Sequence, residues 1–164
     1  MLTLEEISGH IEIRNVLAAY ARGVDRWDVE TLKSCYHDDA SDQHTMFNGN
    51  GHDFADFIVD HCSKAGGISQ HHVTHSHIDV SGDRANVESY YIAFFQVDGQ
   101  MLVTSGRYLD RFERRNDAWK IARRVCTIDL SRPMFPNESW DGARDFPKIG
   151  PKGVDPLYAL LAEA

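Results

Sequence analysis

Residues 70–130, QHHVTHSHIDVSGDRANVESYYIAFFQVDGQMLVTSGRYLDRFERRNDAWKIARRVCTIDL, decide the fold. Three turn signals, Gly82-Asp83, Asp98-Gly99 and Asn116-Asp117, divide the stretch into four runs in which apolar and polar residues alternate. Alternation at period two is the mark of strands with one face buried, so the reading is an antiparallel meander over 70–80, 85–97, 101–114 and 118–130.

Upstream the period is helical. Thr3 and Glu6 have the spacing of a capping box, and Ile7, Ile11, Leu17, Tyr20, Ala21 and Val24 follow on one stripe, so a first helix is expected to run to about Val24. Asp28 is placed to cap a short second helix carrying Val29, Leu32, Cys35 and Tyr36, which ends at His37-Asp38-Asp39. Ser41–Phe47 reads as a short strand and 48–51 (NGNG) as a turn. Asp53 then opens a third helix bearing Phe54, Phe57, Ile58 and Cys62, which stops at Gly66-Gly67. Helices first and a meander second predict an α+β fold, with helices packed on one face of a curved sheet. The expected organisation is one domain over 1–132 and a tail over 133–164 that wraps the domain or a neighbouring subunit. The tail holds all five prolines and is expected to end in a short helix over 155–162.

The 164 residues are 42% hydrophobic and 26% charged, values of a folded globular chain rather than a disordered or membrane one. A net charge of −8 argues against a nucleic-acid-binding role, because that affinity comes from clustered Lys and Arg. The basic residues of 111–124 are interleaved with Asp110, Glu113 and Asp117 and read as a solvated hairpin. Cys35, Cys62 and Cys126 lack paired spacing and are expected to be reduced thiols. With no apolar run near the N-terminus and none long enough to span a bilayer, a cytoplasmic location is expected.

Two clusters carry the chemistry. Tyr20 and Asp25 lie at the C-terminal end of the first helix, where a carboxylate opposes the macrodipole, so a role other than helix stability is expected of Asp25; capping the Asp28 helix or facing solvent is the alternative. His71, His72, His75 and His77 enter the first long strand, and unbroken alternation puts His71, His75 and His77 on one face. That face suits a general base with polar neighbours, or a metal site. A carboxylate on the far nitrogen of a histidine base fixes its tautomer, and Asp25 is the best-placed candidate. Arg107 and Arg123 fall on the last two long strands, either to bind a carbonyl, carboxylate or leaving group or to form surface ion pairs. Phe54, Phe57, Tyr90 and Phe94 are candidate apolar walls, shared with the core.

Ile13-Arg14 through Tyr20, Asp25, Trp27 and 38–40 (DDA) resemble the opening of the SnoaL-like group of the nuclear-transport-factor-two-like superfamily. Gln70-His71 with Ile78 and 82–85 (GDRA), and 106–108 (GRY) with 110–112 (DRF) and 119–121 (WKI), are similar to its later strands, so the likeness spans about 4–130. The resemblance implies a cone-shaped α+β barrel, its N-terminal helices on a strongly curved, mainly antiparallel mixed sheet that encloses a pocket. It implies a cofactor-independent lyase (dehydratase or dehydrohalogenase) or isomerase that takes a carbon-bound proton from a small apolar or polycyclic substrate. No metal is implied. Asp25 and His71 fall where such enzymes carry their catalytic pair, Tyr20 matches the tyrosine of the dehydratases, and Arg123 a pocket arginine. His75 stands where the group often has Asn, and Arg107 where an aromatic residue is found, which implies a different substrate. The same fold also serves as a non-catalytic ligand binder or structural subunit, and its members imply a homodimer or homotrimer.

Overall fold

The computed structural model describes residues 1–44, 46–97, 100–134, 150–155 and 158, the side chain of Val97 excepted. Helix α1, Leu4–Asp25, begins at Thr3, whose hydroxyl accepts from the Glu6 N–H (3.2 Å) while Glu6 returns its carboxylate to the Thr3 N–H (2.7 Å). The stripe Ile13, Leu17, Tyr20 and Val24 is buried, each apolar side chain worth about 1.5–3 kcal/mol removed from water. Asp28 caps α2, Val29–Ser34, by accepting from the Thr31 N–H.

Between the second helix and the meander the sequence expectation fails at several points: α2 ends at Ser34, before Cys35 and Tyr36. Residues 36–44 continue as strand β1 (Tyr36–His44), and the Asn-Gly run is strand β2 (Phe47–Asn50) rather than a turn. Asn50, not Asp53, caps helix α3, Gly51–Ala65, by accepting from the His52 N–H at 2.7 Å. Gly66 closes α3 in the left-handed conformation (φ 62°) that a side chain disfavours.

Strands β3 (Ile68–Ser81), β4 (Arg84–Val97), β5 (Gln100–Arg115) and β6 (Ala118–Cys126) form the expected meander, except that its last strand ends at Cys126 rather than Leu130, which instead opens β7 (Leu130–Pro133), a strand that returns along β5. The sheet order is β2-β1-β6-β5-β4-β3, with β1 parallel to β6 and every other pair antiparallel. It is a curved, unclosed mixed sheet with the helices on its inner face. The core lies between, around Ile13, Leu32, Tyr36, Phe112 and Ile121, all fully buried.

Two bulges govern which side chains look inward. Opposite β4, Val73 pairs with Tyr91 and His75 with Tyr90, so Thr74 is an extra residue. Opposite β5, Phe112 pairs with Ile121 and Arg111 with Arg123, so Ala122 is another. One inserted residue hands every later side chain to the other face of a strand.

Of the tail, the described residues sit on the α1–α2 corner: Asp155 pairs with Arg26 (2.7 Å), and Lys152 and Tyr158 donate to Asp28 (2.7 and 3.1 Å). The rest of the expected tail, including most of its helix, lies outside the described residues. No helix among the described residues is long and apolar enough to cross a membrane.

Candidate active site

The curved sheet and the ends of α1 and α3 enclose a cavity of about 380 Å³, within the range of small-ligand pockets. Its walls are mostly apolar and aromatic, with Phe54, Phe95 and Ile58 among them, and a few polar groups converge on it.

The first polar group is His71 of β3, held from behind by Asp25 at the C-terminus of α1. Asp25, 8% exposed, receives three hydrogen bonds from β3: the Ser69 hydroxyl (2.9 Å), the His71 backbone N–H (2.8 Å) and the His71 Nδ1–H (2.6 Å). Burial pushes its carboxyl up, but the imidazole of His71 and the other donors outweigh that and hold it below the ordinary value. With Nδ1 engaged by Asp25, Nε2 of His71 is left as the acceptor nitrogen of the neutral ring. The ring packs edge-on to Phe95, centroids 5.5 Å apart.

The second group is one that the sequence reading missed. From β1, His44 joins the cavity wall with Nδ1 on the Asp42 carboxylate and its ring stacked on Phe54 (4.2 Å). Its Nε2 is 3.4 Å from the Tyr20 hydroxyl. Asp42 is fully buried and also accepts the Tyr36 hydroxyl at 2.6 Å. Burial lowers the affinity of His44 for a proton, yet its hydrogen bond to Asp42, assisted by Cys126, raises the pKa to about 9. Against Tyr20 stands Arg124, fully buried, bidentate to Asp110 (2.8 and 2.7 Å) and clamped between the rings of Tyr20 and Tyr108, 4.0 and 4.1 Å from their centroids.

Several expected pocket residues are elsewhere. The Thr74 bulge leaves His71 inward and turns His75 and His77 outward with His72, so the three-histidine face does not form. Among the described residues no group of three or more His, Cys, Asp and Glu is placed to hold a metal ion. Tyr90 is 41% exposed on the outer face, stacked on His75 (4.7 Å). Arg107 is on that face too, paired with Asp129 (3.0 Å) and Glu88 (3.1 Å), the surface ion-pair alternative. The Ala122 bulge turns Arg123 to the outside and its neighbour Arg124 inward. Phe94 points outward as well, while Phe54 lines the cavity and Phe57 packs against the core.

Residues 5–125 match the model of the SnoaL-like domain. The chain belongs to the SnoaL-like domain family. A search of curated protein sequences finds no match to this SnoaL-like protein. Solved structures with the same fold include the hexachlorocyclohexane dehydrochlorinase LinA-type3 from Novosphingobium barchaimii LL02, with TM-score 0.75, 19% identity, 84% of this chain and 97% of that one covered. A scytalone dehydratase-like protein from Novosphingobium aromaticivorans DSM 12444 has TM-score 0.70, 19% identity and coverages of 90% and 95%. The Kfla4162 protein from Kribbella flavida has TM-score 0.70, 15% identity and coverages of 77% and 95%. At these identities the likeness is one of fold.

Proposed function

We propose that this SnoaL-like protein is a cofactor-independent lyase or isomerase in which His71 removes a proton from a carbon of a small apolar substrate. The observation that carries the reading is the Asp25–His71 pair: Nδ1 held at 2.6 Å by a buried carboxylate, in a ring that lines an apolar cavity. Asp25 fixes the tautomer and stabilises the imidazolium formed when His71 takes the proton, contributing charge where the reaction creates it. Imidazole is a weak base for carbon acids, so the substrate proton is one made acidic by a neighbouring carbonyl, and the proposal has the Tyr20 hydroxyl donate to that carbonyl or to a departing hydroxyl.

A purely structural role would not call for this arrangement. Asp25, Asp42 and Asp110 are all under 10% exposed, and burying such groups costs several kcal/mol unless each is paired, as each is here. Self-association as a dimer or trimer through the outer sheet face is part of the proposal, since Tyr90, Ile92 and Leu109 are each more than a third exposed there.

The test is a structure with an apolar cyclic ketone soaked into the cavity. The reading requires the ketone α-carbon about 3–3.5 Å from His71 Nε2. A ligand that binds with its carbonyl flank turned away from His71 would overturn it.

A further inference from the structure

The cavity holds a second histidine–aspartate pair, which the proposed proton abstraction does not use. His71 comes from β3 at one end of the strand order and His44 from β1 near the other, with β6, β5 and β4 between them. The curvature of the sheet brings both rings to the same cavity. Between them stand Tyr91 and Tyr108, stacked at 4.6 Å, with His71 6.5 Å from the Tyr91 ring and His44 6.4 Å from the Tyr108 ring. The two imidazoles thus flank an aromatic floor on which a flat substrate would lie.

The pairs are built alike but surrounded differently. Among the described residues Asp25 is bonded by Ser69 and His71, both of β3. His44 faces Asp42 from its own strand, the Tyr20 hydroxyl from α1, Cys126 from β6, and Tyr108 and Asp110 from β5, with Phe54 from α3 covering its ring; Arg124 of β6 lies against Tyr20, Tyr108 and Asp110. Arg124 is neutralised by its bidentate Asp110, which leaves Asp42 to balance a charge on His44. Nδ1 of His44 is engaged by the Asp42 carboxylate and Nε2 lies 3.4 Å from the Tyr20 hydroxyl, so a doubly protonated His44, the form that its pKa of about 9 favours, would present Nε2–H toward Tyr20.

We propose that His44 and Asp42 form the acid half of the site: the Nε2–H of His44, directly or through the Tyr20 hydroxyl, delivers a proton to a departing hydroxyl. The substrate class is then an apolar β-hydroxy carbonyl compound. His71 Nε2 takes the α-proton, the C–H pair becomes the new C=C bond, the C–O bond breaks, and the oxygen leaves as water with the proton from His44. His71 ends protonated and His44 neutral, and both reset by exchange with solvent. Hydroxide is too basic to leave unprotonated, whereas halide needs no acid. The inference rests on the reading of His71 as base.

The test compares two leaving groups on one skeleton: the aldol adduct of benzaldehyde and acetone, and its acetate ester, both giving benzylideneacetone. His44→Gln is expected to slow loss of water by about 10²-fold or more and loss of acetate by less than about 10-fold, because acetate departs without a proton. Asp42→Asn serves as a second variant with the same expected ordering. Equal losses for the two leaving groups, in a variant whose near-ultraviolet circular dichroism is unchanged, overturn the acid role. His71→Gln is expected to slow both reactions, and its failure to slow either overturns the base reading separately. If the wild-type protein turns over neither compound, ¹⁵N NMR of the imidazoles at about pH 7.5 decides: a doubly protonated His44 supports the proposal and a neutral one overturns it.

Discussion

His71 Nδ1 and Asp25 Oδ1 are 2.6 Å apart although 46 residues separate them in the chain, and the same carboxylate also binds the His71 backbone N–H. Backbone and ring are therefore registered by one group, so the orientation of the base depends on a single side chain at the end of α1. Asp25→Asn presents one acceptor and an N–H₂ in place of two acceptors, which inverts the tautomer of His71 or turns its ring. The expected result is a loss of about 10²- to 10⁴-fold in kcat with the fold retained, measured on any substrate the protein turns over.

Stability should fall on both sides of neutral pH, for different groups. Asp25 has its folded value below the ordinary 3.8, so its contribution is present above that value and is lost as pH drops through the folded one. His44 is raised from 6.5 to about 9, so its contribution is full below pH 6.5 and is lost as pH rises through about 9. That rise corresponds to about 3 kcal/mol. Thermal melts from about pH 6 to about pH 10 should show a falling Tm on the alkaline side that His44→Gln removes.

Two adjacent arginines should behave oppositely. Arg124→Ala strands the buried Asp110 without its bidentate partner and is expected to cost about 3–5 kcal/mol in urea unfolding. Arg123→Ala removes an exposed side chain from the outer face and is expected to change stability by about 0.5 kcal/mol or less, with activity intact. Comparable losses from both would mean that the bulge at Ala122 is misplaced.

Gly106 is required by the crossing from β6 to β7. A Cβ there would land on the Thr127 carbonyl oxygen and against the Tyr91 hydroxyl, which itself donates to that carbonyl at 2.9 Å. Gly106→Ala is expected to cost about 1–3 kcal/mol in urea unfolding, with the wall formed by Tyr91 and Cys126 disturbed.

What could be read from the sequence follows from how local each signal is. The capping box at Thr3, the Asp28 cap, the Gly66 stop and the turns at Gly82 and at 116–117 all act within four or five residues, and those boundaries formed as expected, whereas the end of α2 and the start of α3 did not. A bulge has no such signature. Nothing in 71–77 (HHVTHSH) marks Thr74 as the residue that slips out of register, so unbroken alternation assigned His75 to the wrong face. The same error at Ala122 exchanged Arg123 for Arg124. Strand β1 was shortened at its start because Tyr36 falls on the stripe of the second helix and 37–39 (HDD) reads as that helix's stop, so 36–39 were assigned to the helix and its end. The Asp-x-His spacing of 42 and 44, which puts both on one face of a strand, was the signal available there.

The central claim is that His71 removes a carbon-bound proton inside the cavity. The direct measurement is hydrogen–deuterium exchange at the α-carbon of benzylacetone in deuterium oxide, followed by ¹H NMR with wild-type protein and with His71→Gln. The account predicts exchange by the wild-type protein well above the buffer rate and a fall to near that rate in the variant. Equal exchange by both proteins, or none above buffer with ligand demonstrably in the cavity, would contradict it.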